Sequence, residues 1–472
     1  MPFYIPRGPG AHFRTLQQTF ARGDGEPFAS ALTEEQIRQA ATAEGVAFGA
    51  GPNCIFTPFI TLWAWVIQAA SGSTSCVAAV ARVIVLQAAM GLDPCAAGTS
   101  AYCKARQKLP EGFLRRLTYQ VGVEVEDQAP AHWRWHNRRT LLVDGAETVA
   151  DDTAANQAAY PQPASQQQGL GFPMIRFVVL LTFATAMVVG LAMGPYTGKE
   201  TGETALFRQL LEQSRRAGSD IVVADRYYCS YFMIALLLQC GVDAAFRLHH
   251  KRKCDFRRGQ RLGRNDHIVV WQRPQRPTWM DAATYASMPA TIRVREVRFH
   301  IDEPGCRSSN IVVATTMLDN KSYRAADIAD LYHQRWHVEL DIRSIKQTLK
   351  IEWIHCKTPA MVRKALWTHL LAYNLIRKVA AQAAWERQLA PRQISFAGAM
   401  QTLEAFRWAL ICSEADAYAR ICKIVLAAVA THRVGDRPNR IEPRLLKRRY
   451  DTYANLREPR AQARATIRNG QH

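Results

Sequence analysis

The chain has 472 residues, 48% of them hydrophobic, which is length enough for two or three domains around a substantial core. Sixty Lys and Arg against forty Asp and Glu leave a formal charge of +20, so a polyanion is the natural partner, either nucleic acid or an anionic membrane surface. The eleven cysteines stand singly with no C-x2-C pair, which fits a reducing cytoplasm and argues against a disulfide framework or a zinc site; the opening MPFYIPRGPGAHFR has no apolar signal core and argues against secretion.

In chain order, the first two dozen residues are Gly- and Pro-rich and read as loose. SALTEEQIRQAATAEG then predicts a helix with Thr33 as N-cap and acids in its first turn. FTPFITLWAWVIQAAS and CVAAVARVIVLQAAMG read as further helices, with Pro58 near one start and Gly91 past the other end. TSAYCKARQKLPEGFLRRLTYQVG adds a basic helical segment with Lys104, Arg106, Lys108, Arg115 and Arg116. Residues 1–135 thus form a helical unit, either a DNA-binding domain or a helical lid or dimerisation arm.

The pattern changes at RRTLLVDGAETVADDT. Thr140 to Val143 reads as a short buried strand, with Asp144 at its end and Gly145 after it. A strand-end Asp is often only a turn former. Asp151 and Asp152 are rivals further along, in a polar loop that runs DTAANQAAYPQPASQQQGLGFP. FVVLLTFATAMVVGLAMG, 177–194, carries no charge and could be a membrane span, but its Val, Leu, Phe and Thr and the punctuating Gly190 and Pro195 predict two buried strands, 175–182 and 186–192. GETALFRQLLEQSRRAG predicts an amphipathic helix ending at Gly218. DIVVADRYYCSYFMIALLLQCG then reads as strand, turn and helix, with Asp225 where the apolar run IVVA stops.

VDAAFRLHH resumes the sheet, and a dense basic run follows from Lys251 to Arg264, opening with Lys251, Arg252 and Lys253. So many cations in one loop repel one another unless an anion is present, which points to phosphate contact. HIVVWQRP, TIRVREVRFHI and SSNIVVATTML predict strands, giving a mostly β insertion over about 247–305 inside a domain spanning 136–380. A long helix begins near Thr358. Residues 381–472 supply a helical segment and an Arg-rich, weakly ordered basic tail.

LYHQRWHVELDIRSIKQTL, 331–349, organises the rest. At about 100° per residue, Tyr332, Arg335, Glu339 and Lys346 fall within about 60° of one another. Leu331, Val338, Ile342, Ile345 and Leu349 form an apolar stripe of similar width beside them. A solvated face of ordinary charge pairs would look the same. The spacing Y-x2-R-x3-E-x6-K, however, resembles the YREK signature of the insertion sequence 4 family of DDE transposases. ADRYYC around Asp225, the polar run after Asp144 and TSAYCKARQKLP resemble that family too.

The resemblance implies a ribonuclease-H-like α/β core with a mostly β insertion and an N-terminal helical domain. It implies Asp144, Asp225 and Glu339 as catalytic and metal-binding carboxylates, and Tyr332, Arg335 and Lys346 as DNA-handling groups. The implied activity is cut-and-paste transposition: cleavage at the element's terminal inverted repeats, then 3′-OH attack on target DNA by a homodimer bridging both ends. A cytoplasmic chain without membrane attachment is expected. Three gathered carboxylates also call for divalent metal on their own account. Hard oxygen donors suit Mg²⁺ or Mn²⁺, two per site, with Asp144 as the shared ligand. Lys346 would hold a phosphate as a point charge, Arg335 bidentately, and Tyr332 by its hydroxyl or by its ring on an unstacked base.

Two features depart from the family. Ala146 stands where members commonly have Thr or Ser. The strand Asn310–Ala314 lacks the Trp that hairpin-forming relatives can use for a flipped base, and Trp271 and Trp279 lie in the insertion instead. The alternative is a catalytically inactive, domesticated transposase-like DNA-binding protein or repressor.

Overall fold

The structure is a computed structural model; it describes residues 32–49, 51, 54–89, 91–211, 220–300, 310–412, 415–435 and 457–469. The loose opening and much of the basic tail lie outside these residues.

The helices before the sheet begin where capping chemistry dictates. In α1 (Glu34–Ala43), the Thr33 hydroxyl accepts from the Gln36 amide and the Gln36 side chain accepts from the Thr33 amide, a reciprocal capping box. In α2 (Pro58–Ala69), Thr57 caps and Pro58 takes the first turn, where no amide hydrogen is needed. They are followed by α3 (Cys76–Ala89), α4 (Ser100–Lys108) and α5 (Glu111–Gln128), with Pro110 separating the last two.

The sheet has ten strands among the described residues, in the order β3-β2-β1-β4-β5-β9-β8-β7-β6, with β10 off the path beside β1. β1 (Thr140–Ala150) leads through the short α6 (Ala154–Ala159) to β2 (Met174–Thr182) and β3 (Val188–Pro195), an antiparallel meander. The uncharged run is therefore two strands. Their tight turn is held where Ala186 takes φ 58° and the Thr182 hydroxyl accepts from the Met187 amide. No helix among the described residues is long and apolar enough to cross a membrane.

The short α7 (Glu203–Arg208) precedes β4 (Ile221–Ala224), and residues 212–219, including the predicted helix end at Gly218, lie outside the description. β4, α8 (Tyr231–Gln239) and β5 (Asp243–Arg247) follow, and both strands lie parallel to β1. The insertion is β as expected, with β6 (Gln260–Gly263), β7 (Asp266–Gln272), the short α9 (Ala282–Ser287), β8 (Thr291–His300) and β9 (Asn310–Thr315). It does not form a sheet of its own. β9 pairs with β5 across Ala245–Arg247, so the insertion extends the central sheet.

The stretch 331–349 departs from a single regular helix. It comprises α10 (Ala325–His333), α11 (Trp336–Arg343) and a π-helical turn, Ser344–Thr348. Between α10 and α11 the amides of Arg335, His337 and Val338 bond three residues back, which tightens the backbone. Past α11 the Ser344 hydroxyl donates to the Leu340 carbonyl, and the Leu349 amide reaches five residues back to Ser344. One tight and one loose turn displace the side chains from an even 100° stripe.

β10 (Trp353–Ile354) then returns to β1, and α12 (Pro359–Glu386), capped by Thr358, crosses the molecule. α12 packs on α5, and both lie against β3: Asn374 donates to the carbonyls of Thr118 and Val188 and accepts from the Val188 amide. A Cβ at Gly122 would stand 2.4 Å from the Val188 carbonyl oxygen, so only glycine allows this approach. α13 (Phe396–Cys412), α14 (Ala415–Thr431) and α15 (Arg460–Arg468) complete the described helices. The last places regular structure in what the sequence suggested was a weakly ordered tail; residues 436–456 lie outside the description.

Candidate active site

The parallel pairing of β1 with β4 stops early. Thr140, Leu141 and Leu142 face Ile221, Val222 and Val223, and β4 ends at Ala224. β1 continues, because β2 pairs with it from Leu141 to Val149. Asp144 therefore lies within its strand, not at its end as the apolar run suggested. It stands where its parallel neighbour has run out, and extending the register by two residues sets it beside Asp225. This is the C-terminal edge of parallel strands, where open α/β sheets place their sites.

Asp144 accepts a hydrogen bond from the Gly145 amide at 2.9 Å. Burial pushes its carboxyl up to about 7; the nearby charges of Glu203 and Asp225 add to the rise, while Arg335 and the Gly145 amide oppose it. Asp225 accepts from the Tyr227 amide at 2.8 Å, which fixes its carboxylate in the turn after β4.

Arg335 joins the third acid to the first two. Its guanidinium donates to Glu339 at 2.8 Å, lies 5.9 Å from the Tyr332 ring and interacts electrostatically with Asp144. Tyr332 is buried, and burial pushes its hydroxyl up to about 12. The Phe299 ring centroid lies 6.4 Å from that of Tyr332. Lys346, on the π turn, is half-buried and makes no ion pair with any described residue.

Glu203, at the start of α7, belongs to this cluster and was not singled out from the sequence. A Cβ on Gly145 would fall 2.4 Å from its carboxyl carbon, so glycine after Asp144 makes room for this side chain. Tyr228 donates to it at 3.4 Å. Burial, then the charge of Asp225, raises its carboxyl above the usual range. An acid opening a helix reads as a partner of the helix dipole, and nothing local marks it otherwise.

The rivals Asp151 and Asp152 are occupied elsewhere. Asp151 accepts from Trp353 and His355 at 3.1 Å each, and Asp152 accepts from Gln157. In the basic run, Lys251 and Lys253 are exposed, while Arg252 stacks on the Trp271 ring at 3.7 Å. Trp271 is buried in β7, and Trp279 packs against Phe232 and Arg208.

The donor set suits a hard divalent cation. Asp144, Asp225, Glu203 and Glu339 offer only carboxylate oxygens, and the charges of Glu203 and Asp225 raise the proton affinity of Asp144, that of Asp225 also raising Glu203. Their oxygens are not drawn to within 4.8 Å of one another as a set of three; Arg335 supplies the positive charge at this edge.

Residues 135–375 match the family model described as "Transposase DDE domain". The chain is 26% identical over 302 residues to the transposase InsG for insertion sequence element IS4 of Escherichia coli (strain K12). That match spans 63% of this chain and 64% of the relative, less than two thirds of the relative's length. Among solved structures, the piggyBac transposase in a synaptic complex with hairpin DNA is similar with a TM-score of 0.41 and 8% identity, covering 96% of this chain and 89% of that one.

Proposed function

The chain belongs to the DDE transposases of the insertion sequence 4 family, and from that premise we propose that it cleaves DNA at the terminal inverted repeats of a mobile element and joins the freed 3′-OH to target DNA. The observation that carries this reading is the β1–β4 register, whose extension two residues past Leu142–Val223 brings Asp144 level with Asp225, in keeping with the charge of Asp225 acting on the Asp144 carboxyl. The meander β1–β3 followed by parallel β4 and β5, with a third carboxylate on a later helix, fits a ribonuclease-H-like core.

Asp144, Asp225 and Glu339 would hold Mg²⁺ or Mn²⁺, two ions in the full site. Bound there, the metal supplies an activated water and stabilises charge at phosphorus. The protein's own part is positioning. Gly145 keeps the Asp144 carboxylate oriented through its amide. Glu203 adds a fourth carboxylate, buttressed by Tyr228. Arg335, paired with Glu339 in the free protein, would be available to a DNA phosphate if that carboxylate held a cation instead. Lys346 offers a second cation to the strand. The partners are the element ends and target DNA, with two copies of the chain bridging the ends.

The test is strand cleavage of a duplex carrying one element end, with Mg²⁺ or Mn²⁺. Asp144→Asn, Asp225→Asn and Glu339→Gln should each abolish cleavage and leave end binding intact. Glu203→Gln should slow cleavage about 10- to 100-fold, the range typical of groups that support a metal site. Full cleavage by any of the first three removes that residue from the site. Binding without cleavage by the unaltered chain favours a repressor instead.

A further inference from the structure

Within the insertion, three side chains from separate segments converge. Cys254 comes from the basic loop after β5, His267 from β7 and Glu296 from β8; their donor atoms all lie within 4.8 Å of one another. The Cys254 Sγ is 3.7 Å from His267 Nε2, which is 3.0 Å from Glu296 Oε2. Tetrahedral zinc with ordinary bond lengths separates an S and an N ligand by about 3.6 Å, and an N and an O ligand by about 3.3 Å. The first separation matches and the second is about 0.3 Å shorter, close to the spacing of a coordination shell.

The atoms behind these donors are fixed as well. His267 Nδ1 lies 2.7 Å from the Arg258 carbonyl, which can only accept, so Nδ1 carries the hydrogen. That turns Nε2 toward the carboxylate and the sulfur, two electron-rich groups that a cation would satisfy together. Glu296 Oε1 accepts from the Trp271 indole at 3.1 Å, leaving Oε2 for the centre. Outer hydrogen bonds of this kind orient metal ligands. His267 and Glu296 are 1% and 3% exposed, and the Phe256 ring lies 4.5 Å from the imidazole as a cover. The mixed sulfur, nitrogen and oxygen donors select a borderline cation over Mg²⁺.

We propose that Cys254, His267 and Glu296 hold a zinc ion, with water in the fourth position, that fastens the basic loop to β7 and β8. The clamp sets Lys251, Lys253, Arg257 and Arg258 on a rigid base. Twelve residues separate Cys254 from His267 and twenty-eight separate His267 from Glu296, with no close ligand pair, which is why the sequence carried no zinc signature.

Metal analysis of the purified chain tests this independently of DNA cleavage. One zinc per chain is expected, retained in Asp144→Asn and lost in Cys254→Ser and Glu296→Gln. Cobalt substitution should give a thiolate-to-cobalt charge-transfer band, which the sulfur-free acidic site has no means to produce. Should the variants fail to fold, alkylation of the unaltered chain decides. Peptide mapping should find Cys254 protected with zinc and reactive after chelation. A zinc-free chain with no cobalt–thiolate band, or Cys254→Ser that keeps its zinc, overturns the proposal and leaves an ordinary buried histidine–glutamate pair.

Discussion

Asp144, proposed above as a metal ligand, carries an electrostatic cost of its own in the folded chain. Its carboxyl, raised to about 7 from an unfolded value near 3.8, penalises the folded state wherever it must be ionised. The penalty is absent below about pH 4, grows between the two values and is complete above about pH 7. It is on the order of a few kcal/mol. Asp144→Asn should therefore raise the thermal midpoint of chelator-treated protein at pH 8, by less at pH 6, while abolishing cleavage. Equal midpoints at pH 8 would mean that the carboxylate is already compensated without metal. Asp144 and Asp225 were legible as acids following short apolar runs, although only Asp225 stands past the end of its strand. Glu203 was not, because its meaning comes from a glycine 58 positions earlier in the chain that makes room for it.

At the scale of elements, α11 depends on an anchor two residues beyond Glu339. Asp341 is buried and accepts from Arg377 at 2.8 Å, Arg392 at 2.7 Å and Tyr373 at 3.2 Å. Arg377 and Arg392 are 7% and 10% exposed, so removing their acid leaves buried charge uncompensated. Asp341→Ala should cost about 3–5 kcal/mol in denaturant unfolding and depress cleavage by unseating Glu339. An unchanged unfolding midpoint would show that the two arginines find other partners. The hairpin of β2 and β3 was legible from composition and turn residues. The broken helix was not: apolar periodicity survives one tight turn and one loose turn, whereas the backbone hydrogen bonds that distinguish them leave no trace in residue order.

For the whole molecule, one sheet joins the acidic edge to the insertion through β5 and β9. Lys251 and Lys253 are exposed and Lys346 is half-buried without an ion pair among the described residues, whereas Arg252 is spent on Trp271. Removing Lys346 or Lys253 should lower the log–log salt slope of end binding by about 0.9 each. Arg252→Ala should leave that slope nearly unchanged. Equal slopes for all three variants would mean that the lysines touch no phosphate. The charge of +20 favours a monomer until DNA neutralises it. Mixing Glu339→Ala with a binding-deficient, otherwise intact chain should restore cleavage of paired ends if each copy cuts the end its partner holds. A lone chain fully active on one end contradicts the dimer. The basic balance was legible from composition; the continuity of the sheet was not, because strand neighbours far apart in sequence announce no pairing.

The anchor of α11 also sets an order of manufacture. Arg377 and Arg392 follow Asp341 by 36 and 51 residues, so the ribosome releases all three acids well before the groups that seat the third. A product terminated in that interval before Arg377 lacks part or all of α12, and with it the packing on α5 and β3 as well as the seat of Glu339. It should fail to fold as well as fail to cut, so a nonsense mutation there would give a simple loss rather than an antagonist of the full-length protein.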